Sequence, residues 1–256
     1  MNFFAAAALA SGVSAASAAY TTFSGIDTNG DPETPLVTVT NSSNAEAALL
    51  SKLKSGVGTE TFEGFAVGTP GPLSLSFVDP SSSTNITATL SGGSGKVGST
   101  DIDGRYSIPS DTTSKFWLVN GADSSSAFTV VFSQVIAAFG FYGTDIGDFG
   151  GSLSIELLGG DLQTVIKTFS VPTTSSDGST IYFGVLAGAA SEDFKAIRFV
   201  STATSTDFFG FDNFTVAARA QVVTDEPPPN PTPLPGTLAL AGLGLLALGT
   251  RKRQSN

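Results

Sequence analysis

The sequence predicts a mainly β protein: a jelly-roll-type antiparallel β-sandwich with one short N-terminal helix, and a single hydrophobic helix at the C-terminal end. Three observations carry this reading. After Gly58, eleven short runs rich in Phe, Val, Ile and Thr follow one another, alternating or continuously apolar, with Gly, Ser, Asp and Pro clusters between them. No period of solenoid or propeller length is present. About 200 residues lie between two apolar ends, enough for one large β domain.

Taken in order, Phe3 to Ala19 is apolar and small, and Ala16-Ser17-Ala18 fits the A-x-A cleavage pattern, so 1–19 is expected to be a signal peptide. No Lys or Arg precedes that run. Ser43-Asn44-Ala45-Glu46 has the form of a capping box, with Ser43 as N-cap and Glu46 reaching back. Ala47, Ala48, Leu49, Leu50 and Leu53 follow and Gly56 ends the segment, which predicts a helix over 44–54. The expected strands are 61–66, 73–77, 85–90, 115–119, 127–132, 136–142, 152–158, 163–171, 180–186, 195–200 and 208–217. The domain is thus expected at 20–219. Pro227, Pro228, Pro229 and Pro231, beside acids, make 220–232 an extended, stiff linker.

Composition narrows the function. The chain has no Cys, so its fold uses no disulfide, and no His, the usual acid–base group and metal ligand at neutral pH. Without Arg251, Lys252 and Arg253, nine basic residues face 22 acidic ones, a net −13. That charge argues against nucleic acid and anionic membrane surfaces as partners, and is compatible with divalent cations and neutral sugars.

The tail is the most specific part. Pro233-Leu234-Pro235-Gly236 leads into an uncharged run containing Leu238, Leu240, Leu243, Leu245, Leu246 and Leu248, and Arg251-Lys252-Arg253 closes it. Gly236 to Thr250 would be about 22 Å long as a helix, short against a bilayer core of about 30 Å. The basic end favours the cytoplasmic side and leaves the long N-terminal part outside. This string resembles the PEP-CTERM sorting signal of Gram-negative, exopolysaccharide-producing bacteria. Pro233-Leu234-Pro235 stands where that family has Pro-Glu-Pro, with Leu in place of Glu. The resemblance implies an exported precursor held in the inner membrane by its C-terminal helix, a membrane exosortase as processing partner, and delivery to the cell surface or extracellular matrix.

The body carries further resemblances. Glu60 to Phe65, Ala138 to Gly151 and Gly210 to Val216 resemble the extracellular domain of many PEP-CTERM proteins. The opening Phe-Glu and closing Phe-Asp-Asn-Phe also resemble the first and last strands of galactose-binding-like jelly rolls, which implies a structural calcium at Glu63 and Asp212. The chemistry allows it. Ca²⁺ takes six to eight oxygens, and a half-buried carboxylate needs a partner, whether a metal, a backbone N–H or a Lys.

Tyr142, Asp145 and Asp148 are the candidate ligand-binding residues, on a glycine-rich loop after an aromatic strand that suits a sugar or an ion. Turns in which the Asp side chains accept backbone N–H groups are the alternative. Asp27 to Glu33 resembles the start of an EF-hand loop, but Pro32 occupies the position that needs Gly and Thr38 the one that needs Glu, leaving an acidic turn. Trp117, the only Trp, sits on a strand and reads as core rather than sugar platform. Three function classes follow: a non-catalytic surface or exopolysaccharide-matrix protein that binds carbohydrate; a polysaccharide hydrolase using paired carboxylates; and a structural adhesin that binds another protein.

Overall fold

A computed structural model describes residues 19–99, 103–108, 114–120, 128–148, 150–203 and 207–223. The chain divides into two units, Met1–Val223 and Thr224–Asn256. The expected signal peptide up to residue 18, the linker from residue 224, the sorting residues Pro233 to Gly236 and Arg251 to Arg253, and the C-terminal helix lie outside the described residues.

Among the described residues the first unit is a two-sheet antiparallel sandwich with one α-helix, as the strand pattern predicts. Its elements are β1 (Thr21–Asp27), α1 (Thr40–Leu50), β2 (Gly58–Glu60), β3 (Leu73–Phe77), β4 (Ile86–Ser91), β5 (Lys96–Ser99) and β6 (Lys115–Asn120). There follow β7 (Phe128–Ile136), β8 (Ala138–Thr144), β9 (Leu153–Leu158), β10 (Val165–Val171), β11 (Thr180–Leu186), β12 (Phe194–Ser201) and β13 (Phe208–Ala217). One sheet runs β1-β11-β8-β13-β6-β5, with β2 also paired to β13; the other runs β10-β9-β12-β7-β4-β3.

The main core joins inward residues of both sheets and is built largely of Phe. Phe128 stacks on Phe199 at 4.0 Å between ring centroids, and Phe141 meets Phe199 edge-on at 5.1 Å. Such pairs add to the burial of their area. A second cluster lies between α1 and the outer face of the first sheet, and includes Leu49, Tyr142 and Tyr182. Strand β8 is therefore covered on both faces. Phe139 and Phe141 enter the main core, Ala138 and Tyr142 the helix-side cluster, and every residue of the strand is buried. This is why its sequence runs apolar without alternation. Gly25 on β1 lets α1 lie close, since a Cβ there would stand 2.1 Å from the carbonyl oxygen of Asn41.

The structure corrects several local expectations. The helix starts at Thr40 and ends at Leu50, not 44–54. Its free N–H groups are satisfied from outside: Asp27, at the end of β1, accepts from Asn41 N–H at 2.9 Å and Ser42 N–H at 2.8 Å. Ser43 is not the cap, and its hydroxyl donates to the Val39 carbonyl at 2.7 Å. Glu46 does not reach back, but accepts the Tyr142 hydroxyl at 2.7 Å. A carboxylate delivered by a neighbouring strand has displaced the local capping box.

The expected strand 61–66 is a turn. The Glu60 side chain accepts the Phe62 N–H at 2.8 Å, Phe62 takes φ 59°, and Phe65 N–H bonds the Phe62 carbonyl at 3.1 Å. A side chain bonding its own backbone two residues on competes with the ladder and ends β2 at Glu60. Residues 220–223, expected in the linker, are folded onto the body. Lys54 N–H donates to Gln221 at 2.7 Å and Val223 N–H to Lys52 at 2.8 Å, while Arg219 holds Asp193 and donates to the Ala187 and Ala189 carbonyls at 2.9 Å each.

Candidate functional site

Antiparallel pairing around β8 decides which residues meet. Thr144, the last residue of β8, stands opposite Thr180, the first of β11, and opposite Gly210 near the start of β13. The segment leaving β8 and the segments entering β11 and β13 therefore converge at one end of the first sheet. They carry Asp145 and Asp148, Asp177, and Asp207.

Asp145, Asp148 and Asp177 each offer a carboxylate oxygen within 4.8 Å of the others. Asp145 is held in the left-handed region at φ 65°, its N–H bonded to the Ser179 carbonyl at 3.1 Å. Its Oδ1 accepts the Gly178 N–H at 3.0 Å, and Arg105 Nη1 lies 3.5 Å from Oδ2. Gly104, at φ 83°, backs directly onto the pair: a Cβ there would stand 2.2 Å from Asp145 Oδ1 and 2.5 Å from Asp177 Oδ1. The carboxylates thus occupy the space that any other residue at 104 would fill.

Asp207 lies beside this trio, against Asp148. Its side chain is 0% exposed, and neither oxygen receives a hydrogen bond among the described residues. Burial, then the Asp148 charge, pushes its pKa up to about 7, against the pull of Arg105. Asp145, 2% exposed, is likewise raised well above the ordinary carboxylate range. Burial is the largest cause, opposed by the Gly178 N–H and reinforced by Asp177 and Asp148. Arg105 cannot balance four acids. It also contacts Asp103 at 3.3 Å and lies over the Phe208 ring at 5.6 Å.

Tyr142 does not join this cluster. Its side chain faces α1, packs edge-on against Tyr182 at 5.0 Å and gives its hydroxyl to Glu46. Period-two alternation sends residue 142 to the helix side of the strand, while Asp145 lies past its end.

Glu63 and Asp212 do come together, lining one cavity of about 340 Å³ with Thr59, Thr61 and Ile108. β13 pairs β6 through Phe208–Phe211 and β2 through Phe214–Val216, so Asp212 and Asn213 sit in the gap between those partners, at an irregularity in the ladder to β8. Asp212 is 3% exposed and its carboxyl is raised above the ordinary range by burial, despite N–H donors on both oxygens, Ile108 at 2.8 Å and Asn213 at 2.7 Å. Glu63 Oε1 accepts the Lys115 N–H at 2.7 Å. Backbone donors, the partner that the sequence left open beside a metal, are therefore present here. The remaining lone pairs of Asp212 and the exposed Glu63 carboxylate are the oxygens that a calcium would use.

Trp117 is buried against Phe62 and belongs to the core. The acidic turn after β1 is built from Asp and Asn side chains bonding their own backbone: Asn29 accepts the Asp31 N–H at 3.1 Å and Asp31 the Glu33 N–H at 3.1 Å.

Comparison with known proteins adds one assignment. Residues 231–254 match the PEP-CTERM protein-sorting motif. The PEP-CTERM tail makes this an exported, sorted chain. No curated protein matches the sequence. Among solved structures, similar chains include the C-terminal family 22 carbohydrate binding module of Clostridium thermocellum Xyn10B, at 13% identity and TM-score 0.35, covering 66% of this chain and 99% of that one. The Stig cyclase Fisc from Fischerella sp. TAU is similar at 15% identity and TM-score 0.32, covering 71% and 98%. The K2 cleaved adhesin domain of Lys-gingipain is similar at 14% identity and TM-score 0.27, covering 64% and 98%. No activity follows from likenesses at this level.

Proposed function

We propose that this chain is a non-catalytic cell-surface or matrix protein whose β-sandwich contacts polysaccharide after an exosortase-type membrane enzyme has processed its tail. The observation that carries the reading is the PEP-CTERM match at 231–254, beyond a single compact body ending at Val223. Two features support the finer points. A surface cavity of about 360 Å³ lined by Pro70, Gly71, Pro72, Ser91, Gly92, Ser94 and Gly95 brings glycine backbone and two serines together, groups of the kind that sugars bond. The hydrolase alternative needs two acids facing a cleft about 5–10 Å apart. Asp145 and Asp207 are instead shut inside the protein, facing other carboxylates.

The test is the form that the producing cell delivers. Its intact mass is expected to lack Arg251 to Arg253, and the delivered protein to co-sediment with the cell's own exopolysaccharide. A delivered chain that still ends at Asn256 overturns the processing. Sedimentation without polysaccharide overturns the sugar contact and favours the adhesin.

A further inference from the structure

We propose that Asp145, Asp148, Asp177 and Asp207 together bind one calcium ion at the end of the first sheet where β8 leaves and β11 and β13 enter. This inference rests neither on the sorting tail nor on the polysaccharide contact.

Two independent observations carry it. The first is spacing. Oxygens bound to one Ca²⁺ at about 2.3–2.6 Å lie no more than roughly 5 Å apart, even on opposite sides of the ion. The nearest oxygens of Asp145, Asp148 and Asp177 fall within 4.8 Å of one another. The second is Asp207, which stands outside that trio. It is wholly buried, both of its oxygens lack a hydrogen-bond donor among the described residues, and the charges it faces are Asp148, Asp177 and Arg105. An ionised carboxylate sealed from water without a donor is strongly disfavoured, and a cation among the oxygens removes the penalty. Asp177 Oδ1 is likewise buried without a donor among the described residues.

The geometry favours calcium over the other hard divalent ion. Magnesium demands a near-ideal octahedron and keeps several of its waters. This cluster offers carboxylate oxygens from four side chains, any of which can bind through one oxygen or two, set by three separate segments of chain. That arrangement suits the higher and more flexible coordination of calcium. Arg105 lies 3.5 Å from Asp145 Oδ2 and is shared with Asp103 at 3.3 Å, so it supplies one positive charge against four acids. Bound there, the ion would tie together three loops far apart in sequence.

The test uses the full chain, stripped with chelator and then titrated with calcium chloride by calorimetry and by thermal melting. One equivalent is expected to bind. The melting temperature should rise by roughly 5–10 °C at about a hundredfold excess over Kd, and magnesium chloride should not reproduce the shift. Asp177→Asn, on a half-exposed loop and so tolerated by the fold, should weaken binding by about tenfold or more, as losing a ligand costs at least what losing an outer-shell partner does. Asp207→Asn should do the same; if that variant fails to fold, Asp177→Asn and the wild-type titration still decide. Glu63→Gln separates this site from the Glu63–Asp212 cavity and should leave binding unchanged. No calcium binding, an equal shift with magnesium, or binding that survives Asp177→Asn but is lost in Glu63→Gln overturns the proposal.

Discussion

In the metal-free chain, Asp207→Asn is expected to leave stability nearly unchanged around pH 4 and to raise it progressively as pH climbs to 8. Asp207 is fully buried with no donor among the described residues, and its pKa is lifted from 3.8 to about 7 by burial first and by Asp148 second. The folded value is the raised one, so the native state holds this proton more tightly than the unfolded chain does. The resulting stabilisation is complete below about pH 4 and is lost as pH rises, disappearing as it passes through about 7. At about 1.4 kcal/mol for each pH unit between those values, the loss is on the order of 4 kcal/mol. Asparagine keeps the shape, cannot ionise and turns an amide donor toward Asp148. The gap in melting temperature at pH 8 should therefore approach roughly 8–15 °C for a body of this size. The assay is near-ultraviolet circular dichroism during melting at pH 4, 5, 6, 7 and 8 in chelator, for wild type and variant side by side. A wild type whose melting temperature does not fall across this range relative to the variant would refute the reasoning, since Asp207 would then reach water or a donor.

Two further outcomes follow from the helix-side cluster. Asp27→Ala removes both carboxylate bonds to the first turn of α1 and is expected to cost about 1–2 kcal/mol, read as a lower urea midpoint with an unchanged slope. Tyr142→Phe deletes the hydroxyl bonded to Glu46, and the half-exposed carboxylate can recover water, so a loss of about 1 kcal/mol is expected with no change in calcium or polysaccharide binding; a specific loss of binding would place Tyr142 in the ligand site after all.

Much of the sandwich was legible because its signals are local. Leu73–Phe77 buries alternate side chains, and Thr180–Leu186 is a continuous apolar run covered on both faces; turn residues follow each within a few positions, so their bounds could be read directly. What the sequence hid depends on partners distant in the chain. β1 has no fully buried residue and carries Thr, Ser and Gly around Phe23 and Ile26, yet it pairs along its whole length with β11. β5 is four residues long and contains Gly98, too short to show an alternation. The start of α1 was misplaced because the residue that caps it lies fourteen positions upstream of Asn41, on a strand.

The same reasoning explains the acidic cluster. Asp145 and Asp148 announce themselves, three residues apart in a glycine-rich loop after an aromatic strand. Asp177, within Ser175-Ser176-Asp177-Gly178, has the look of any turn, and Asp207, before Phe208 and Phe209, that of a strand entry. Only the order β11-β8-β13 turns these three positions into neighbours, because two antiparallel partners of one strand both begin where it ends. A sequence reader could have found the group by asking which acids flank the start of strands able to pair with 138–144. The chemistry then has a structural logic of its own. With no Cys, the chain has no covalent means of fastening three loops at a sheet end. Four inward carboxylates cost stability when left alone, and contribute it when a divalent cation from the medium fills their centre. Whether the sheet end is held together therefore depends on the ion concentration outside the cell in which the sorted domain finds itself.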